Sequence, residues 1–93
     1  MLTLDSALSI PDHVLFTNVD DDMVLLNVRT NEYFALDEVG TRFWGVLSAG
    51  GSIRAGFEIL LDEFEVEAVQ LELDLLELVE RLAENGLVEI VSA

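Results

Sequence analysis

The chain has 93 residues, 52% of them hydrophobic, with four Lys plus Arg against nineteen Asp plus Glu and a formal net charge of −15. That length fits one small folded domain, and the apolar fraction argues against disorder despite the charge. So few cations speak against nucleic acid or an anionic membrane as partner, and the absence of cysteine excludes disulfides, thiolate metal sites and cysteine nucleophiles.

Residues Met1 to Ile10 carry no strong period and no basic stretch ahead of a long apolar run, so no signal peptide is expected. No apolar segment approaches the ~20 residues that span a bilayer, and a cytoplasmic protein is the default expectation. Residues 1–12 read as an N-terminal tail and residues 13–91 as the folded domain. Pro11 marks the entry to a β-rich stretch, His13 to Val19. Asp20-Asp21-Asp22 supplies turn chemistry, Met23 to Val28 makes a second strand, and Arg29-Thr30-Asn31 turns the chain into a third, Glu32 to Leu36. Short connections between three strands predict an antiparallel meander.

Sheet then gives way to helix. Phe34 and Leu36 share one face of the third strand, and Asp37 directly after it is placed to cap a helix over about 38–48. Val39, Phe43 and Val46 recur at helical spacing, with Trp44 and Leu47 widening the apolar face. Trp44 reads as core rather than as a binding platform. Ala49-Gly50-Gly51 stops this helix. Ser52 caps a second one on which Ile53, Phe57, Leu60, Leu61 and Phe64 lie on one side, with Gly56 as a sign of close packing. A third helix covers about 67–85 and stops at Gly86, after which residues 87–91 add a final strand. The expected fold is α+β and winged-helix-like: a three-stranded antiparallel sheet followed by three helices.

Two features point toward a binding role. Glu32–Leu36 lies at one side of the meander, where an unblunted edge invites another chain to pair. The third helix is also broadly apolar. Leu71, Leu75, Leu76, Leu78, Val79, Leu82 and Ala83 cover about 160° of its circumference, against the ~100° that packing on one layer requires. Val69 and Leu73 widen the arc further. Either sheet and helices cover it from two sides, or one border lines a groove beside the open strand. The border of Leu71, Leu75 and Leu78, with Asp74 beside them, has the mixture of apolar and acidic groups suited to a peptide groove. Glu72 projects into the arc and is expected to snorkel past the sheet rim or to meet Arg54 or Arg42.

The order of these elements carries a resemblance. The segment Tyr33-Phe34-Ala35-Leu36-Asp37-Glu38-Val39-Gly40-Thr41-Arg42-Phe43-Trp44 resembles the PqqD-like family, as do Asp74-Leu75-Leu76-Glu77-Leu78 and the ending Leu82 to Val88. These are the precursor-recognition elements of ribosomally made, modified peptides. The likeness runs from about His13 to Ile90, is carried by hydrophobic pattern rather than by a catalytic signature, and is strongest to stand-alone members of lasso-peptide pathways. It implies a non-catalytic adaptor without a cofactor. Such an adaptor holds the leader region of a precursor peptide as an added antiparallel strand, between the third strand and the third helix. It presents that leader to a leader peptidase of transglutaminase-like fold, alongside an ATP-dependent cyclase. The implied contacts are the backbone of Glu32, Tyr33, Phe34, Ala35 and Leu36 and the helix residues Leu71, Asp74, Leu75 and Leu78.

Other chemistries find little support in the residues. His13 is the only histidine and has no Ser, Cys or ligand partner at a recognisable spacing. Asp20-Asp21-Asp22 lacks the alternating ligands, glycine and distant glutamate of a calcium loop. Gly50-Gly51-Ser52 lacks a P-loop lysine. A small acidic carrier protein would need a serine at a helix start, and the nearest string, Leu4-Asp5-Ser6-Ala7-Leu8, lacks that setting. In a DNA-binding winged helix, the third helix would carry one Arg81 against five glutamates and repel phosphate.

Overall fold

In a computed structural model, which describes residues 2–92, the chain folds as an α+β domain of winged-helix type. The elements in chain order are β1 (Ala7–Ser9), β2 (Val14–Val19), β3 (Asp22–Asn27), β4 (Glu32–Leu36), α1 (Glu38–Ser48), α2 (Ile53–Glu63), α3 (Ala68–Glu84) and β5 (Glu89–Ser92). The antiparallel meander is β2-β3-β4, with β3 central and Glu32–Leu36 at an edge as the sequence suggests. Two residues, Asp20 and Asp21, turn β2 into β3. Asp20 sits at φ 59°, a left-handed conformation that Asp and Asn tolerate better than most side chains. Asn31, at φ 61°, does the same before β4, and its N–H donates to the Asn27 carbonyl at 2.7 Å.

Each helix starts where its cap residue allows. The Asp37 carboxylate accepts from the Gly40 N–H at 2.8 Å, and the Ser52 hydroxyl accepts from the Ala55 N–H at 3.0 Å. α3 has no side-chain cap, which leaves its stability to packing. Its Leu71, Leu75, Val79 and Leu82 are buried, and they tie together two clusters. One holds Phe43, Ile53 and Leu60, and the other holds Leu25, Leu36 and Trp44. Trp44 is fully buried and meets Phe16 edge-on, with ring centroids 5.7 Å apart, so it belongs to the core as expected. Gly56 is required by contact: a Cβ there would lie 2.6 Å from the Phe43 ring. The wide apolar arc of α3 is therefore mostly consumed from two sides, by helices and by sheet. Val69 and Leu73 lie outside that arc, at 65% and 58% exposed.

One feature departs from the sequence reading, and two others add to it. Residues 2–10, in a stretch that shows no usable period, join the fold: Leu4 is core, and Ala7–Ser9 pairs with Glu89–Ser92 as a second, two-stranded sheet. Met1 lies outside the described residues. A three-residue strand interrupted by a register shift is too short to leave an alternation that can be read. Glu72 meets neither arginine closely. It is exposed, while Arg54 forks onto Asp5 at 2.9 and 3.1 Å and Arg42 forks onto Glu63 at 2.8 and 2.9 Å. The third is Asn27, buried in β3, whose Nδ2 donates to the Asn85 carbonyl at 2.9 Å. Beside it, His13 Nε2 hydrogen-bonds the Gly86 carbonyl at 3.0 Å. These two contacts fasten the end of α3 to the sheet and so fix where α3 runs relative to β4.

Candidate peptide-binding groove

The site begins with which way the backbone of β4 faces. The Val28 N–H donates to the His13 carbonyl, so the polar groups of Val28 aim at β2. Orientation alternates along an antiparallel strand, so Leu26 and Val24 also bond β2, while Asn27, Leu25 and Met23 bond β4. Their partners on β4 are Glu32, Phe34 and Leu36. Tyr33 and Ala35 are left with N–H and C=O directed away from the sheet, at the edge where no further strand is paired among the described residues.

Across that edge stands α3, and between the two runs a groove of about 720 Å³. Phe34, Ala35 and Leu36 line it from the strand, and Leu71, Asp74, Leu75 and Leu78 line it from the helix. Of the residues singled out from sequence, the structure thus brings seven to one cleft. Tyr33 does not line the cleft; it is 72% exposed, with its side chain on the other face of the sheet from Phe34. Glu32 is exposed at the start of the strand and directs its backbone at β3. Leu71 and Leu75, at 4% and 2% exposed, form the floor and are core residues as well. Leu78 is half-buried and more open to the groove.

Residues not singled out complete the walls. Val39 from the first turn of α1 adds apolar surface, and Val66 stands at the mouth before α3. Gln70 donates to Asp74 at 2.8 Å and holds that carboxylate along the wall. Arg81 closes the other end, its guanidinium carbon 5.3 Å from the centre of the Phe34 ring. Helical periodicity from Asp74 through Leu78 leads to Arg81, so that residue was within reach of the sequence. Val39 and Val66 were not, because their place depends on how α1 and the α2–α3 link turn.

The groove has the form a strand-shaped ligand requires: free main-chain donors and acceptors on one wall, apolar surface below, and polar groups along the other wall. Among the described residues no group of three or more His, Cys, Asp or Glu is placed to hold a metal ion. Ser6, the one serine a carrier role could use, is 2% exposed, and its hydroxyl accepts from the Thr3 N–H.

No curated protein sequence matches the chain. Among solved structures, it is similar to TbiB1 in complex with the TbiA(beta) leader peptide: 35% identity, TM-score 0.82, over 86% of this chain and 93% of that one. It is also similar to lasso peptide synthetase B1 complexed with the leader peptide, at 30% identity and TM-score 0.79, over 88% of this chain and 96% of that one. Residues 22–88 match the family model described as coenzyme PQQ synthesis protein D. That span runs from the start of β3 past the end of α3 and contains both walls of the groove, so the chain is a member of the PqqD family.

Proposed function

We propose that this chain is a non-catalytic adaptor that captures the leader region of a ribosomally synthesised precursor peptide, in lasso-peptide biosynthesis. The leader adds to β4 as an antiparallel strand and lies against α3, held for a leader peptidase of transglutaminase-like fold. One observation carries this reading: the outward-facing backbone groups of Tyr33 and Ala35 lie on the free edge of β4, the strand that walls a groove whose floor is Leu71, Leu75 and Leu78. The similar B1 structures, each holding a leader peptide, support it.

The physical division of labour is plain. Main-chain pairing to Tyr33 and Ala35 supplies affinity with little sequence preference, while alternate leader side chains press onto the floor and supply selectivity. Burying two apolar side chains contributes about 3–6 kcal/mol before ordering costs, which suffices for submicromolar binding to a groove already formed. A fluorescence anisotropy titration tests the proposal. The probe is a labelled leader peptide from a lasso-peptide precursor of the same source as this chain. Saturable binding that weakens when leader apolar residues become alanine is expected. A flat titration would remove the adaptor reading.

A further inference from the structure

Charge is not spread evenly along the groove. Glu67 stands at one end and Asp74 at the middle, and Arg81 is the one cation on its lining. Leu71, near the start of α3, packs in one cluster with Val39, just beyond the C-terminal end of β4, while Arg81, near the end of α3, lies on Phe34. α3 therefore runs antiparallel to β4, and the cationic end of the groove is the N-terminal end of β4. Arg81 also has choices on its own helix. Glu77 and Glu84 sit one turn away on either side, at the spacing where Glu–Arg pairs form. Among the described residues it forms no ion pair with either and instead lies over the Phe34 ring. Arg42 and Arg54, by contrast, are each held in a two-pronged carboxylate pair.

We propose that the groove reads the direction of the leader by charge: it takes a segment with a carboxylate side chain near its C-terminal end, against Arg81, and neutral or basic side chains toward its N-terminal end, along Asp74 and Glu67. This rests on the strand-addition reading above. An antiparallel strand on β4 runs from the Leu36 end toward the Glu32 end, so its later residues arrive at Arg81. A parallel strand would bring its earlier residues there. The guanidinium, held by the aromatic face, offers a two-pronged site that fits a carboxylate. Elsewhere a leader carboxylate meets Asp74, Glu67 or Asp37 and a protein of net charge −15, so the acidic position is confined to one place. Glu77, next to Arg81 on the lining, sharpens that confinement by disfavouring acid one step earlier.

The test is a charge-swap cycle with the same labelled leader peptide, made also as a set of single Asp/Glu→Lys and Lys/Arg→Glu variants. Arg81 is exposed, and circular dichroism verifies that Arg81→Glu folds as the parent does. Arg81→Glu is expected to weaken leader binding at least tenfold. One leader Asp/Glu→Lys variant, altered near the C-terminal end of the bound segment, should restore affinity to within threefold while binding the parent protein poorly. Arg81→Met, which keeps the apolar stem, should fall between parent and Arg81→Glu. Unchanged affinity in Arg81→Glu, failure of every leader variant to restore it, or parental affinity in Arg81→Met would each overturn the proposal. Rescue from the N-terminal end would overturn it too. Failure of the parent protein to bind the parent leader would instead remove the strand-addition reading itself.

Discussion

β2 and β4 are the two edge strands of one sheet, both paired along their length to β3, yet they offer a ligand different surroundings. By the alternation that exposes Tyr33 and Ala35 on β4, the backbone groups of Val14, Phe16 and Asn18 face outward on β2. Both edges therefore present free main-chain donors and acceptors, although on β2 the Val14 N–H is taken by the Pro11 carbonyl at 3.2 Å. What β2 lacks is a floor: none of its residues lines the groove, and five of its six residues are exposed, Leu15 at 56% and Val19 at 51% among them. β4 has α3 alongside, held there by Asn27 and His13 gripping the turn after the helix. Hydrogen-bonding capacity alone does not make a peptide site, because water satisfies an open edge almost as well. Apolar surface next to the edge tips the balance.

Proline placed on each edge breaks the comparison most sharply. Ala35→Pro removes an edge N–H and blocks strand addition without cutting the β3–β4 ladder, and leader affinity should fall about 100-fold or more. Asn18→Pro makes the equivalent change on β2 and should leave leader affinity within about twofold, since no leader lies there. Anisotropy titrations of the two proteins check both outcomes. If the two variants lose affinity equally, the assignment of the leader to β4 is wrong.

Side chains give the next effect. Leu78→Ala removes floor without leaving a core cavity of the size Leu75→Ala would, and should weaken leader binding about tenfold, the worth of a partly buried leucine contact. Leu15→Ala on the exposed face of β2 should change it by less than twofold. Leu75→Asp is a poor probe, because Leu75 is 2% exposed and a carboxylate there would disrupt the core before it reported on the groove.

Stability is a separate axis. Gly56→Ala drives a methyl into the fully buried Phe43 ring and should destabilise the fold by about 1–3 kcal/mol in urea denaturation, without altering leader affinity where the protein is folded. Gly45→Ala, on the neighbouring helix with open space around it, should stabilise by up to about 1 kcal/mol. Smallest of all is the pair joining the N-terminal segment to α2. The Arg54 hydrogen bond holds the Asp5 carboxyl below its usual range. A lowered folded-state value stabilises above the unfolded value, so the contribution is present at neutral pH and is lost as pH falls below about 4. Both groups are solvent-exposed, so Asp5→Asn should shift the denaturation midpoint only slightly at pH 7, and by progressively less as the pH falls below the unfolded-state value.

How much of this could be read from the chain alone follows from where each signal is local. The Asp37 cap, the Phe34/Leu36 alternation and the helical spacing of α1 and α2 depend on neighbours a few residues apart, and the elements appear within a residue or two of where those patterns put them. The helix wall of the groove was legible as the acidic border of an over-wide apolar arc. The N-terminal strand was not, because Ala7–Ser9 is defined by a partner eighty or more residues away and carries no period of its own. Nor was the orientation of the β4 backbone, which is fixed by the register of β2 on β3 and cannot be deduced from side-chain alternation in β4. The pairings of Arg42 and Arg54 were missed for the same reason, since their carboxylates come from distant segments.

Strand addition depends on the two edge residues of β4. Backbone amide hydrogen exchange, followed residue by residue by NMR with and without saturating leader peptide, tests them directly. Strand addition predicts that the Tyr33 and Ala35 amides exchange readily in the free protein and become strongly protected in the complex, while Phe16 and Asn18 on β2 do not change. Protection that appears on β2, or leader binding that leaves Tyr33 and Ala35 exchanging as before, would contradict it.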